Sequence, residues 1–235
     1  MPNVFKDYGI DVNWGTHTRM DEADDRIYHM ADSGCIYIGF GAESADAETL
    51  TTMKKGGFIL KNGMVNKKVG VRYYSFPKTM VSAIENCKSA GIHPNCTWIM
   101  GYPGEKIHHL KTSIAFILWQ QKFWTKDLQL SNSNYSNRLN SVNIKMFTAT
   151  AYPGTELWND VRSQLRKCFN ISFDKYGEPV CDKTFRDYVL KLDDATKVLN
   201  DKNGNPVNYS EMNQDAFITA RNYIDNNEPE KILSM

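Results

Sequence analysis

Close cysteine spacing is missing from this sequence. The five cysteines, Cys35, Cys87, Cys96, Cys168 and Cys181, stand too far apart for a metal or cluster motif. An odd number also suits a disulfide framework poorly. The expectation is isolated thiols in a reducing compartment, each packed as a small hydrophobe. Charge of one sign is lacking too: 28 basic and 27 acidic side chains leave a net charge of +1. That excludes a global field for nucleic acid or anionic lipid and leaves room for a local patch. Long apolar runs are absent, since the longest, residues 114–119, is far short of a membrane span. Residues 1–7 show no basic segment leading into an apolar run, so no secretory leader is expected. The reading is of a soluble, cytoplasmic-type protein. No phosphate-binding glycine loop and no serine elbow occurs. His108 and His109 are adjacent, so on a helix they should not face one ion, while His17 stands alone and His93 with Cys96 lacks a second ligand pair.

What is present is an alternation of strand and helix patterns. Residues 12–19 read as a short strand, Asp21 as the cap of a helix to about Met30, and Gly34 as its stop. Residues 35–40 form a near-continuous apolar strand, as expected when both sheet faces are covered. Residues 47–55 read as a short helix stopped by Gly56 and Gly57, and residues 58–71 as an irregular excursion of local basic character. Pro77 opens a helix to Ala90 with Met80, Val81, Ile84 and Cys87 on its apolar stripe. Residues 96–100 are a strand, and residues 108–123 a helix with Leu110, Ile114, Ile117 and Leu118 on one face. Residues 131–141 form a polar loop and 142–147 a fourth, alternating strand. The remainder predicts a helix over 156–168, a small hairpin about Asp201-Lys202-Asn203-Gly204, and a terminal helix over 211–226. The expected organisation is one unit over residues 1–158 and a covering extension over 159–235.

Strands joined by helical crossovers pair in parallel, and such folds hold ligands beyond the carboxyl ends of the strands. The polar residues fall there: His17 and Arg19, Glu43 and Ser44, Gly101 to Glu105, and Thr148 to Thr155. Packing alternatives stand beside ligand binding. Arg19 could pair with Glu43 across the sheet end, Glu43 or Asp46 could cap a helix, and Pro103-Gly104-Glu105 could be a tight turn with a capping acid.

The ordered set Trp14 and Arg19, Ala31-Asp32-Ser33-Gly34-Cys35, Gly39-Phe40-Gly41-Ala42-Glu43-Ser44, Lys55-Gly56, Ala90-Gly91-Ile92, Gly101-Tyr102-Pro103-Gly104-Glu105 and Tyr152-Pro153-Gly154-Thr155-Glu156 resembles the radical S-adenosylmethionine superfamily, most closely its cobalamin-binding branch. The resemblance implies a partial (β/α) barrel in which about four parallel strands correspond to the third to sixth of six, with flanking helices and a small C-terminal helical or hairpin extension. It implies that a complete relative uses S-adenosylmethionine, a [4Fe-4S] cluster on a three-cysteine loop, and in this branch cobalamin; the cysteine loop does not occur in this sequence. By the same resemblance Arg19, Glu43, Ser44, Gly101 and Pro103 contact cofactor, and His17, Tyr152 and Thr155 border the substrate. No catalytic residue is assigned and no metal ligand is expected. The chain then reads as a fragment that contributes cofactor and substrate contacts and is inactive alone. Its partner would be the missing half, another chain on the open sheet edge, or a second copy. A non-catalytic scaffold and an unrelated phosphate-binding α/β enzyme are the alternatives.

Overall fold

Four strands, β1 (Trp14–Thr18), β2 (Cys35–Glu43), β5 (His93–Met100) and β6 (Lys145–Thr148), pair in parallel in the order β1-β2-β5-β6. This is a computed structural model, and it describes residues 7–10, 12–125, 144–194 and 198–235. Strands adjacent in the sheet follow one another along the chain apart from an inserted hairpin, the order of a partial β/α barrel. Helix α1 (Arg26–Asp32) joins β1 to β2, and α5 (Ile107–Thr125) follows β5. Between β2 and β5 lie α2 (Ala47–Thr52), α3 (Gly56–Ile59), strands β3 (Met64–Val69) and β4 (Arg72–Pro77), and α4 (Lys78–Ala90).

Alternation along the strands decides which sheet face is the core. Ile38, Phe40 and Ala42 of β2, Cys96, Trp98 and Met100 of β5, and Met146 of β6 are buried in one apolar cluster. Onto them α4 turns Met80, Val81, Ile84 and Cys87, and α5 turns Leu110, Ile114 and Ile117, the stripes read from 3.6-residue spacing. Gly91 ends α4 in the left-handed conformation (φ +73°) that a side chain would strain.

After β6 the chain forms α6 (Glu156–Asp160), α7 (Arg162–Phe169), α8 (Lys183–Asp194) and α9 (Gln214–Asp225). Trp158, Val161, Leu165, Phe169, Tyr188 and Leu192 make a second apolar cluster with Ala149 and Ala151. Phe217, Ala220 and Ile224 of α9 return to the first cluster.

Several expectations need correction. Residues 58–71 are not an irregular excursion: β3 and β4 form an antiparallel hairpin with a two-residue loop, opened by Gly70 at φ +61°. Its alternation was masked by Lys67, which lies on the inward side, donating to Glu85 at 2.8 Å. Gly56 and Gly57 begin α3 instead of stopping a helix, because the preceding one ends at Thr52 and Lys54 takes φ +57°. Asp21 caps nothing; it sits in a 3-10 turn, Met20–Glu22, with its carboxylate on Arg19. Residues 156–168 hold two helices, because buried Val161 leaves helical geometry (φ −106°, ψ 19°). The hairpin about residues 201–204 amounts to one antiparallel bridge, Asn200 to Pro206. Helix α8 was not anticipated; Asp182 caps it by accepting from the Phe185 amide at 2.9 Å, and exposed Val189 and Leu190 blur its apolar stripe. The polar loop at 131–141, with Val142 and Asn143 of the expected fourth strand, lies outside the described residues.

Candidate functional site at the strand ends

Beyond the carboxyl ends of β1 and β2 lies a cavity of about 180 Å³. Arg19, Asp21, Gly41, Lys54, Lys55 and Phe58 are among the residues that line it. The guanidinium of Arg19 donates to both carboxylate oxygens of Asp21, at 2.9 and 2.8 Å, and lies 3.9 Å from the centroid of the Phe58 ring. The two-pronged match of planar groups fixes the arginine while leaving it about half exposed.

The end of β2 is irregular. Its pairing with β5 shifts register between Gly41 and Glu43, and Glu43 adopts φ +62°, which is uncommon for a residue with a side chain. A Cβ on Gly41 would stand 3.0 Å from the Glu43 carboxylate, so glycine is what lets that side chain fold back over the strand. Glu43 accepts from the amine of Lys55 at 2.5 Å. The Arg19–Glu43 pair considered from the sequence therefore does not form; each has another partner. Lys54 pairs with Glu156, joining this side of the cavity to the segment after β6.

The three cations at the cavity are thus each neutralised, by Asp21, Glu43 and Glu156. Such a rim suits a group bearing both signs better than a simple anion. Typical whole-ligand pockets run to about 300–1,000 Å³, so this volume holds part of a ligand.

Behind the cavity the ends of β2 and α5 are stitched together. Ser44 is fully buried, with its hydroxyl 3.1 Å from that of Ser113, which also accepts from the Ala45 amide at 3.0 Å. Asp46 caps α2, accepting from the Thr49 amide at 2.9 Å. Ser44 therefore faces the interior.

At the end of β5, Gly101 takes φ +84° and its amide donates to Glu105 at 2.6 Å. Glu105 is buried, and its second carboxylate oxygen has no hydrogen-bond partner among the described residues. Burial pushes its pKa up to about 8, the amides of Gly101 and Tyr102 pull it down, and Asp46 adds to the rise. The turn expected at Pro103-Gly104 is present, with the Glu105 amide donating to Tyr102. The acid closes this turn and caps no helix. The tail clamps the same loop: the Tyr209 amide donates to Gly101 and the Glu211 amide to Glu105.

His17 is exposed on the sheet face opposite the core, its ring against Gly39 and edge-on to Tyr37. Tyr152 is half exposed, and Thr155 caps α6, accepting from the Trp158 amide at 3.2 Å. Pro103 is half-buried in its turn. The cavity brings together Arg19 and the end of β2; Gly101 and Pro103 lie in the loop tied to Glu105, and Ser44 lies in the packing behind. Phe58 and Ser113 were not singled out from the sequence, because their roles depend on contacts between distant segments, and Asp21 was read only as a helix cap.

Among the described residues, no group of three or more His, Cys, Asp or Glu side chains is placed to hold a metal ion. His108 and His109 do touch, ring centroids 4.1 Å apart, contrary to the usual divergence of helical neighbours, but the Nε2 atom of His109 faces Glu48 at 3.2 Å. Cys35, Cys87 and Cys96 are buried, and desolvation pushes all three thiols up, Cys96 to about 12. No helix among the described residues is long and apolar enough to cross a membrane.

Comparison with known proteins gives one sequence likeness. An uncharacterized methyltransferase of Pyrococcus horikoshii is 24% identical over 154 residues, which is 65% of this chain and 26% of that protein. Among solved structures, the cobalamin-dependent S-adenosylmethionine radical enzyme OxsB with aqua-cobalamin bound gives a TM-score of 0.47 at 13% identity, covering 92% of this chain and 29% of that one. The radical S-adenosylmethionine methyltransferase TsrM from Kitasatospora setae, with cobalamin and a [4Fe-4S] cluster bound, gives 0.40 at 13%, covering 95% and 44%. The archaeal Elp3 of Methanocaldococcus infernus gives 0.40 at 17%, covering 66% and 28%. No family model matches the chain. The chain thus spans about a quarter of the length of the curated relative it matches.

Proposed function

We infer that this chain supplies part of the S-adenosylmethionine and substrate wall of a radical S-adenosylmethionine enzyme. The observation that carries the reading is the cavity at the ends of β1 and β2, lined by Arg19 with its partner Asp21, by Gly41, and by Lys55 with its partner Glu43. Its rim of paired charges suits the methionine end of S-adenosylmethionine: Glu43 and Asp21 offer oxygen to the ammonium, and Arg19 and Lys55 meet the carboxylate. The turn from Gly101 to Glu105 forms the adjoining wall for the adenosine, with Gly101 and Pro103 shaping it. Tyr152 and Thr155, tied to the cavity through the neighbouring Glu156–Lys54 pair, border the substrate side with His17. The likeness to a methyltransferase supports the same ligand, since such enzymes commonly draw their methyl group from it.

The five cysteines do not fit a [4Fe-4S] cluster: no three of them form a close-spaced loop, Cys35, Cys87 and Cys96 are buried apolar thiols, Cys168 is half-buried and Cys181 exposed. In this reading the cluster, and cobalamin where the enzyme uses it, are held by residues other than those described. The chain's own residues bind and orient, and no chemical step is assigned to them. The partner is the cluster-bearing segment or chain, meeting the sheet at β1, which among the described residues has a neighbour on one side only.

Equilibrium dialysis of the full chain against labelled S-adenosylmethionine tests this. The expected result is saturable binding, weakened about tenfold or more by Arg19→Ala, the range for a lost charged hydrogen bond. Absence of saturable binding, or equal binding by the variant, would overturn it.

A further inference from the structure

The near-neutral total charge hides a segment of one sign. Residues 49–84 contain Lys54, Lys55, Lys61, Lys67, Lys68, Arg72 and Lys78, and no aspartate or glutamate. Lys54, Lys55 and Lys67 are used internally, on Glu156, Glu43 and Glu85. Lys61, Lys68, Arg72 and Lys78 are exposed, and none makes an ion pair among the described residues.

The hairpin presents these cations on a fixed support. Phe76 packs its ring 5.1 Å from that of Phe116 in α5, and Tyr74 stacks on Phe76 at 6.3 Å, so the inner side of the hairpin is anchored. On the outer side Lys68 stands directly across from Tyr73, which is 70% exposed. Arg72, next to Tyr73 in sequence, falls by strand alternation on the other side, across from Val69, and Lys61 and Lys78 lie at the hairpin's base, where the Lys78 amide donates to Gly63.

Lysines commonly guard sheet edges against aggregation. That accounts for cations but not for a large exposed aromatic among them, which works against such protection. An aromatic face beside backbone-spaced cations is the arrangement that binds single strands, the ring stacking on a base and the cations meeting phosphates. A lipid surface would call for a larger apolar tip, and the loop offers Val71 alone.

We propose that the outer face of the β3–β4 hairpin docks single-stranded nucleic acid, with Tyr73 stacking on a base and Lys61, Lys68 and Lys78 meeting the phosphates. The test is fluorescence anisotropy with the full chain and labelled oligo(U) and oligo(dT). Binding of either should weaken about twentyfold as salt rises from about 50 to about 200 mM, the value for three phosphate contacts on a single strand. Tyr73→Ala should cost about fivefold or more. The double variant Lys68→Glu/Lys78→Glu should cost at least about tenfold, whereas Lys183→Glu, an exposed charge change in α8, should cost less than about twofold. Far-ultraviolet circular dichroism checks that each variant is folded. The proposal is overturned by no saturable binding at the lower salt, by equal losses in the Lys183 control, by unaltered affinity in Tyr73→Ala, or by binding confined to phosphatidylserine vesicles.

Discussion

The buried carboxylate of Glu105 accepts a hydrogen bond from the backbone amide of Gly101 at 2.6 Å, across the turn at the end of β5. The contact makes one side chain responsible for the shape of the loop that follows the strand.

The raised pKa of Glu105 has a consequence for stability. An unfolded chain ionises this carboxyl near its ordinary 4.5, whereas the folded protein holds the proton to about 8. Its contribution is therefore full below the unfolded value and is lost as pH rises through that window, at up to about 1.4 kcal/mol per pH unit. Glu105→Gln keeps an acceptor for Gly101 and cannot ionise, so its urea midpoint should depend less on pH between about 5 and 8. Equal slopes for the two proteins would contradict the assignment.

Gly101 is constrained twice. Its φ of +84° is costly for any side chain, and a Cβ would lie 2.8 Å from the Phe217 ring. Gly101→Ala should lose about 2 kcal/mol and lower the thermal midpoint by roughly 4–8 °C in calorimetry.

Ser113 reaches across from α5 to the turn after β2. Ser113→Ala strands the Ala45 amide in the interior and leaves the Ser44 hydroxyl without the Ser113 contact, still accepting from the Asp46 amide. The expected loss is about 1–3 kcal/mol, read from urea denaturation. A loss near zero would mean that water or a shifted side chain replaces the hydroxyl.

The buried cysteines predict the outcome of anaerobic reconstitution with iron and sulfide. The chain alone should give no stoichiometric [4Fe-4S] signal by electron paramagnetic resonance and form no 5′-deoxyadenosine. One cluster per chain with turnover would contradict the division of labour drawn above.

The parallel sheet was legible because its strands are short apolar runs ended by Gly41 or Gly101, and the helices because Met80, Ile84 and Leu110, Ile114 repeat at helical spacing. The hairpin was not, because inward Lys67 breaks the apolar alternation and is satisfied only by Glu85 from another element. At the site, the strand-end rule located Arg19 and Glu43, but their partners depend on the fold. Asp21 lies in a turn that sequence could not separate from a helix cap, and Lys55 reaches Glu43 from beyond α2. The interior position of Ser44 likewise rests on Ser113, 69 residues away.

The most direct measurement is a nuclear magnetic resonance titration of the isotope-labelled full chain with S-adenosylmethionine, following backbone amides. Shifts should concentrate at Arg19, Gly41 to Glu43, Lys55 and Gly101 to Glu105. No shift at saturating ligand, or shifts centred on α7 and α8, would contradict the assignment of the strand ends as a cofactor wall.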